Sequence, residues 1–304
     1  MSTDNKIIAI CVATFKRSDL LRNCLTSIGQ IVIPSGYTAI LIVVDNDSER
    51  TGEASFNEST KTFIMDSHYY IEADRGICSA RNLLLEKAIE HESDYIAFVD
   101  DDELTHKLWL TNLIKGLELY KCDIIAAPVL PISETYAPDD FVTDPKHPSG
   151  STPRNIPAGN VLFSKKLFNE HGLRFDRYFD FIGCEDFDFF DRAIKKGMTS
   201  VWIDDAIIFE TIVPERTTTK YIIYRHFTGG INVVMRYRRH HSLFSAWLRY
   251  LPKATGKIIG ALVSLFLSIF YMHRENFKKF IIKLSNGIGY ISGLSNIVIE
   301  RYKY

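Results

Sequence analysis

The 304-residue chain is expected to fold as an α/β protein with a mostly parallel sheet flanked by helices, followed by a basic helical C-terminal region. Three observations carry this expectation. Short apolar runs alternate with segments of helical periodicity over the first two-thirds of the chain. Two of those runs stop abruptly in carboxylates. Lys and Arg then crowd into the last seventy residues.

Residues 7–13 are continuously apolar, as a strand buried on both faces requires. Ser18 is placed to cap the following helix, with Leu20, Leu21, Cys24, Leu25 and Ile28 on one face. Residues 39–44 form a second buried strand, ending in Asp45-Asn46-Asp47, and a polar loop is expected after it. Residues 79–89 read as a helix and 95–99 as a third strand, which ends in Asp100-Asp101-Asp102-Glu103. Residues 108–119 are helical and 124–129 a strand. Residues 131–158, rich in Pro, Asp, Ser and Thr, form a long functional loop. A short helix starts at Ser164. Another opens at Glu185-Asp186, carries an apolar stripe of Phe187, Phe190 and Ile194, and is stopped by Gly197. Short strands are expected at 201–203 and 207–209. Beyond Pro214 the pattern is helical and basic.

Composition is that of a globular chain, 46% hydrophobic and 24% charged. The charge is uneven. Residues 235–304 hold twelve Lys/Arg against two acids, a net of +10, so with −1 overall the first 234 residues carry −11. Such a tail suits an anionic partner. Residues 258–272 are uncharged and mostly apolar, short of the ~20 residues a spanning helix needs. An interfacial or re-entrant helix on an anionic membrane surface is the expectation, with a buried core helix as the alternative. The five cysteines show no metal-ligand spacing and read as free thiols of a reducing compartment. No secretory leader is read at the start. A nucleic-acid partner is not expected.

Three consecutive aspartates at a strand end repel one another. A divalent cation would offset that cost, and hard oxygen ligands suit Mg²⁺ or Mn²⁺, which in turn hold phosphate oxygens. In open α/β sheets, ligands bind at the carboxyl ends of strands, where Asp45 and Asp100–Asp102 should meet. A carboxylate at Asp45 could accept from the N–H of a nucleotide base. Gly76 and the following Ile77-Cys78-Ser79-Ala80-Arg81-Asn82 open a helix whose free N–H groups, with Arg81, could hold a diphosphate. Asp186 could serve as a general base for an acceptor hydroxyl. The first βα turn, Thr14 to Ser18, lacks the Gly-rich dinucleotide fingerprint. Clustered acids of this kind would also suit a nucleotidyl- or phosphotransferase, or a non-catalytic glycan-binding module.

In their order and spacing, six segments resemble the inverting family 2 glycosyltransferases with a GT-A fold: residues 10–17, 43–47, 76–82, 98–103, 158–163 and 183–188. Residues 210–216 and 221–230 are similar to a bacterial subgroup that builds exopolysaccharide, lipopolysaccharide or capsule, including succinoglycan-type glucosyltransferases. The resemblance implies a catalytic domain over 1–212 and a basic helical region over 213–304. It assigns the base to Asp45, with Thr14 and Arg17 nearby, the ribose side to Asp100 with Asp101 beside it, and the metal to Asp102 and Asp100. Asp186 would be the catalytic base, Glu185 its positioning partner or an acceptor contact, and Gly159 and Asn160 would border the acceptor. The partners implied are a nucleoside-diphosphate sugar, a glycan or lipid-linked acceptor, and the inner face of the plasma membrane, which the enzyme would meet peripherally from the cytoplasm. Many relatives have a His where this chain has Glu210, which could meet the metal or pair with Arg216. The Gln-x-x-Arg-Trp signature of processive synthases is missing, which points to the addition of one sugar per acceptor.

Overall fold

The computed structural model describes residues 5–132, 147–271 and 274–299. The chain forms two compact units. The first comprises Met1–Asp180 and Glu185–Thr211; the second comprises Phe181–Cys184 and Ile212–Tyr304.

The first unit is built on a seven-stranded sheet. Its strands in chain order are β1 (Lys6–Thr14), β2 (Tyr37–Asp45), β3 (Asp66–Ile71), β4 (Tyr95–Asp100), β6 (Ile124–Ala126), β8 (Val161–Ser164) and β9 (Ser200–Trp202). They lie side by side as β3-β2-β1-β4-β8-β6-β9. All neighbours run parallel except β8, which is antiparallel to both β4 and β6. A small second sheet joins β5 (Glu103–Thr105), β10 (Ile208–Thr211) and β7 (Val129–Ile132). Strand alternation sorts the core into two layers. Ala9 and Cys11 face one layer with helices α3 (Ile77–Glu90) and α6 (Glu185–Lys195), while Ile8, Ile10 and Val12 face the other with α1 (Ser18–Ile28) and α4 (Trp109–Tyr120).

Several local expectations are corrected. Ser18 is the first residue of α1, not its cap; Arg17 holds the cap position and makes no side-chain cap bond. The segment after Asp47 contains helix α2 (Glu53–Ser59) and edge strand β3. Residues 124–129 divide between two strands in different sheets. Of the expected loop 131–158, residues 131–132 complete β7 and 133–146 lie outside the described residues. Helix α5 is Lys166–Asn169. Helix α6 buries Phe189, Phe190 and Ala193, whereas Phe187 is half-buried and Ile194 is 39% exposed.

Gly159 and Asn160, expected beside the acceptor, are instead internal to the first unit. Asn160 is fully buried. Its Oδ1 accepts the Trp109 indole N–H at 2.9 Å, and its Nδ2 donates to the carbonyls of Pro128 and Ala206 at 2.9 and 2.7 Å. Gly159 makes room for Glu103, whose Oε1 would lie 2.4 Å from any Cβ there.

The second unit is helical, with α7 (Thr219–His240), α8 (Leu243–Tyr271) and α9 (Arg274–Leu294). Residues 258–271 of the uncharged segment therefore belong to a 29-residue helix, and Met272 lies outside the described residues.

Asn160→Ala would remove the partner of the buried Trp109 indole N–H and of the Ala206 carbonyl, at about 1–3 kcal/mol each, while the Pro128 carbonyl keeps the Ile208 N–H. Urea denaturation should show a loss of roughly 3 kcal/mol or more. An unchanged midpoint with a raised acceptor KM would restore the acceptor-side role.

Candidate active site

The site forms where parallel register brings strand ends level. Thr14 pairs with Asp45 across β1–β2, and Ala13 with Asp100 across β1–β4. The chain after Asp100 turns through Asp101 and Asp102 into β5. The Asp102 carbonyl accepts the Thr211 N–H at 2.9 Å, tying this turn to the end of β10.

The acids here are not equivalent. Asp101 is buried; its Oδ2 accepts the Thr14 hydroxyl at 2.8 Å and its Oδ1 the Arg17 guanidinium at 3.0 Å. Burial nonetheless raises its pKa to about 6, with Arg17 opposing and Asp102 adding to the rise. Arg17 reaches Asp102 at 3.5 Å. Glu103 is fully enclosed. Its Oε2 accepts the Asp100 N–H at 2.7 Å, and burial, then Asp100, pushes its pKa well up. Glu210 stands opposite Glu103 in the β5–β10 ladder. Asp100 is the open member, its side chain 44% exposed.

This donor set is all oxygen and anionic, which suits Mg²⁺ or Mn²⁺ over a softer metal. Among the described residues no three acids or histidines stand together as a ready-made cation site. Asp100 and Asp102 can supply two ligands at most. That fits a cation that is completed by water and diphosphate oxygens, as Mg²⁺ commonly is.

The second half of the site starts α6. Glu185 is buried, with Oε1 hydrogen-bonded by Arg81 Nη1, and Arg81 Nη2 donates to Asp100 Oδ1 at 3.1 Å. The Glu185 Oε2 is buried and has no hydrogen-bond partner among the described residues. Asp186 is half-buried. Its Oδ1 accepts the Phe187 N–H at 2.7 Å and its Oδ2 the Ala158 N–H at 3.3 Å. Burial, then repulsion from Glu185, raises its pKa to about 7, against the pull of Arg81 and the two N–H groups. The backbone just before the helix is held in the left-handed region, at φ +92° for Gly183 and +71° for Cys184. Such a value at the non-glycine Cys184 is a local backbone strain.

Two groups expected at the ligand are engaged within the protein. Asp45 has no exposed surface. Its Oδ1 accepts the Asp47 N–H at 3.0 Å, and its Oδ2 accepts the Gly52 N–H at 2.8 Å and the Tyr69 hydroxyl at 2.6 Å. In this conformation it organises the turn after β2 and presents no free oxygen to a base. The start of α3 is likewise not free. Asp180 Oδ1 accepts the N–H groups of Cys78 and Ser79 at 2.9 and 3.1 Å, and Asn46 Oδ1 accepts that of Gly76 at 2.8 Å. Gly76 has φ +142°, and a Cβ there would fall 2.2 Å from Asp180. Arg81 faces the two acids, not an open phosphate cradle. Asp180 and Glu103 were missed as organisers. Glu103 is legible as the fourth acid of its run, while Asp180 carries no local signal.

Residues 9–192 match the model of a family described as glycosyl transferase family 2. Over 314 residues the chain is 28% identical to the succinoglycan biosynthesis protein ExoM of Rhizobium meliloti (strain 1021), covering 99% of this chain and 97% of that protein. Among solved structures it resembles the mannosyltransferase PcManGT from Pyrobaculum calidifontis in complex with GDP-Man and Mn²⁺, at TM-score 0.67 and 16% identity over 95% of this chain and 87% of that one. It also resembles S. aureus TarS 1–349 in complex with UDP-GlcNAc, at TM-score 0.54 and 12% identity over 98% and 93%.

An acid whose pKa is raised by folding binds its proton more tightly in the folded chain. Stability then falls as pH rises from about 4, where the unfolded acid titrates, to about 7. Asp186→Asn removes the buried charge. It should melt a few degrees above the parent at pH 8, and the gap should close near pH 4. An equal or lower melting temperature at pH 8 would show that the carboxylate is not held at a cost.

Proposed function

The chain belongs to glycosyl transferase family 2 and has the GT-A fold, and from that premise we propose that it transfers a sugar from a nucleoside-diphosphate sugar, UDP-linked in the first instance, to a hydroxyl of a glycan or lipid-linked acceptor in bacterial surface-polysaccharide assembly. The observation that carries this reading is the Asp186 carboxyl, with its pKa near neutrality beside the Glu185–Arg81–Asp100 chain. A base poised near the working pH combines the right protonation state with enough driving force for proton transfer. The name of the ExoM relative supports a polysaccharide pathway, and the bound GDP-Man and UDP-GlcNAc of the two structural relatives support a nucleotide-sugar donor.

The reaction is a single displacement. Asp186 takes the acceptor hydroxyl proton. The oxygen forms its bond to the anomeric carbon as the bond from that carbon to the phosphate oxygen breaks, and the nucleoside diphosphate leaves with the electron pair. Inversion of an α-linked donor gives a β-linkage. Glu185, fixed by Arg81 through one oxygen, is the positioning partner of Asp186. Thr14 and Arg17 line the nucleotide side, and Arg17, at 41% side-chain exposure, is the cation open to a phosphate. Mn²⁺ or Mg²⁺, held by Asp102 and Asp100, would supply neutralisation of the charge on the diphosphate.

Asp186→Asn should lower kcat by at least a hundredfold, within the range general-base catalysis contributes, while donor binding by calorimetry stays within a factor of two or so. In the parent, kcat/KM should fall below about pH 7 as the base takes up its proton. Undiminished turnover in the variant would remove Asp186 from the base role. Asp102→Ala should abolish the gain in nucleoside-diphosphate affinity that Mn²⁺ confers; survival of that gain would move the metal away from this strand end.

A further inference from the structure

Helix α8 has its side chains sorted in the reverse of a water-soluble helix. Its buried residues are mostly small: Ala246, Ala254, Ala261 and Ser264, with Tyr250. Its large apolar residues point out. Phe244, Leu248, Ile259, Leu262, Phe266 and Ile269 are each more than half exposed. They recur at intervals of three, four or eleven residues, all close to whole turns, so they form one stripe along the helix. Only 17% of the most apolar eighteen-residue window is buried. This overturns the core-helix alternative, because a core helix buries its large residues.

The inner face of α8 meets α9, which approaches closely at Gly287. A Cβ on Gly287 would lie 2.9 Å from Ile258 Cγ1 and 3.2 Å from the Ala254 carbonyl oxygen. The inner face of α8 is therefore filled, and the outer stripe has no partner among the described residues of the second unit. An apolar stripe of this length on a soluble surface marks an interaction site.

The charges identify the partner. Arg249, Lys253 and Lys257 follow one another at four-residue spacing along the first half of α8, and Arg274, Lys278 and Lys279 begin α9. The fourteen uncharged residues 258–271 between these clusters span about 21 Å as a helix, less than the ~30 Å hydrocarbon core of a bilayer. Lys283 of α9 donates to Ser264 Oγ at 3.0 Å and to the Gly260 carbonyl at 3.4 Å. An ammonium thus sits level with the middle of the uncharged stretch. Crossing would carry that ammonium to hydrocarbon depth, where a cation is costly. Lying flat keeps the Lys283 ammonium out of the hydrocarbon and leaves Arg249, Lys253 and Lys257, about 120° or more around the helix from the stripe, on the polar side, within about a Debye length of the anionic surface.

We propose that the exposed stripe of α8 is a docking surface for an anionic phospholipid membrane, on which the helix lies in the plane of the headgroup–acyl boundary along its whole length and does not cross. The apolar stripe supplies insertion, and the bracketing cations supply selectivity for anionic lipid.

Of the three tryptophans, Trp109 and Trp202 are buried and Trp247 lies on the exposed side of α8. It is a built-in reporter. The intact protein should bind phosphatidylcholine vesicles containing about 30% phosphatidylglycerol at low salt, with a blue shift of Trp247 emission, and lose most of that binding at high salt or on neutral vesicles. Lys253→Ala/Lys257→Ala should lower partitioning by about thirtyfold, from the loss of two surface-bound cations. If that variant does not fold, the salt titration on the parent carries the charge test. Lipids brominated at different depths should place Trp247, and a tryptophan at Phe266→Trp in a Trp247→Phe background, at the same shallow level. A clear increase in depth from 247 to 266 would mean a crossing helix and overturn the in-plane proposal. No binding at low salt, equal binding to neutral vesicles, or a stable dimer that ignores vesicles would each overturn the membrane as partner. The readout needs no turnover, so it stands apart from the transfer reaction.

Discussion

The guanidinium of Arg81 is the interaction on which the rest of the site depends. It is buried, and it touches acids from two parts of the chain about 85 residues apart: Asp100 at the end of β4 and Glu185 at the start of α6. Arginine suits this position, because it cannot lose its proton and offers several donors in one plane. A buried ion pair adds little net stability, since desolvation cancels most of the attraction. Removing one partner, however, costs about 3–5 kcal/mol, because it strands the other charge. Arg81 therefore fixes geometry more than it stabilises the fold. It sets where α6 begins relative to the strand end, and so where the Asp186 carboxyl stands.

Around that strut, the acids are graded by burial. Asp101 and Glu103 are enclosed and hold their protons more tightly than free carboxyls. Both are used inward: Asp101 anchors the Thr14 and Arg17 side chains, and Glu103 braces the Asp100 N–H. Asp100 is left open at the rim. Asp102 is buried too, at 8% exposure, so burial alone does not pair it with Asp100; the proposed reading gives the cation to these two.

This explains why the fold was more legible than the site. Continuous apolar runs could only be strands covered on both faces, and carboxylates after them marked the sheet's working edge. The β3 sequence, Asp66-Ser67-His68-Tyr69-Tyr70-Ile71, has no such run, because an edge strand is only half-covered. Strand β8 is four residues long and hidden inside a motif that resembled a binding segment. For side chains the difficulty was burial. Asp45, Asn160 and the start of α3 stand at motif positions whose residue types suit a ligand, yet their hydrogen-bonding capacity is taken up within the protein. A sequence names the donors and acceptors available. It does not say which of them the fold has already used.

The two units sort their side chains in opposite senses. In the first, Phe163, Phe175, Phe179, Phe189 and Phe190 lie inside. In α8 the phenylalanines and most of the leucines face outward and the alanines inward. Burial of apolar area is worth about 25 cal/mol per Å² in either case, so a stripe of six large exposed residues is a standing cost in water. The small-residue seam with α9 shows that the stripe is not a packing failure: the inner face is close-packed, and the large residues have no room there. Close approach through glycine is how helices associate when apolar area is not what drives them together. The helix is thus built from the inside as one expects of a lipid-contacting element, and from the outside as an amphipathic one, with cations on either side of its uncharged half. Only an environment that is apolar and anionic at once satisfies both halves of that pattern.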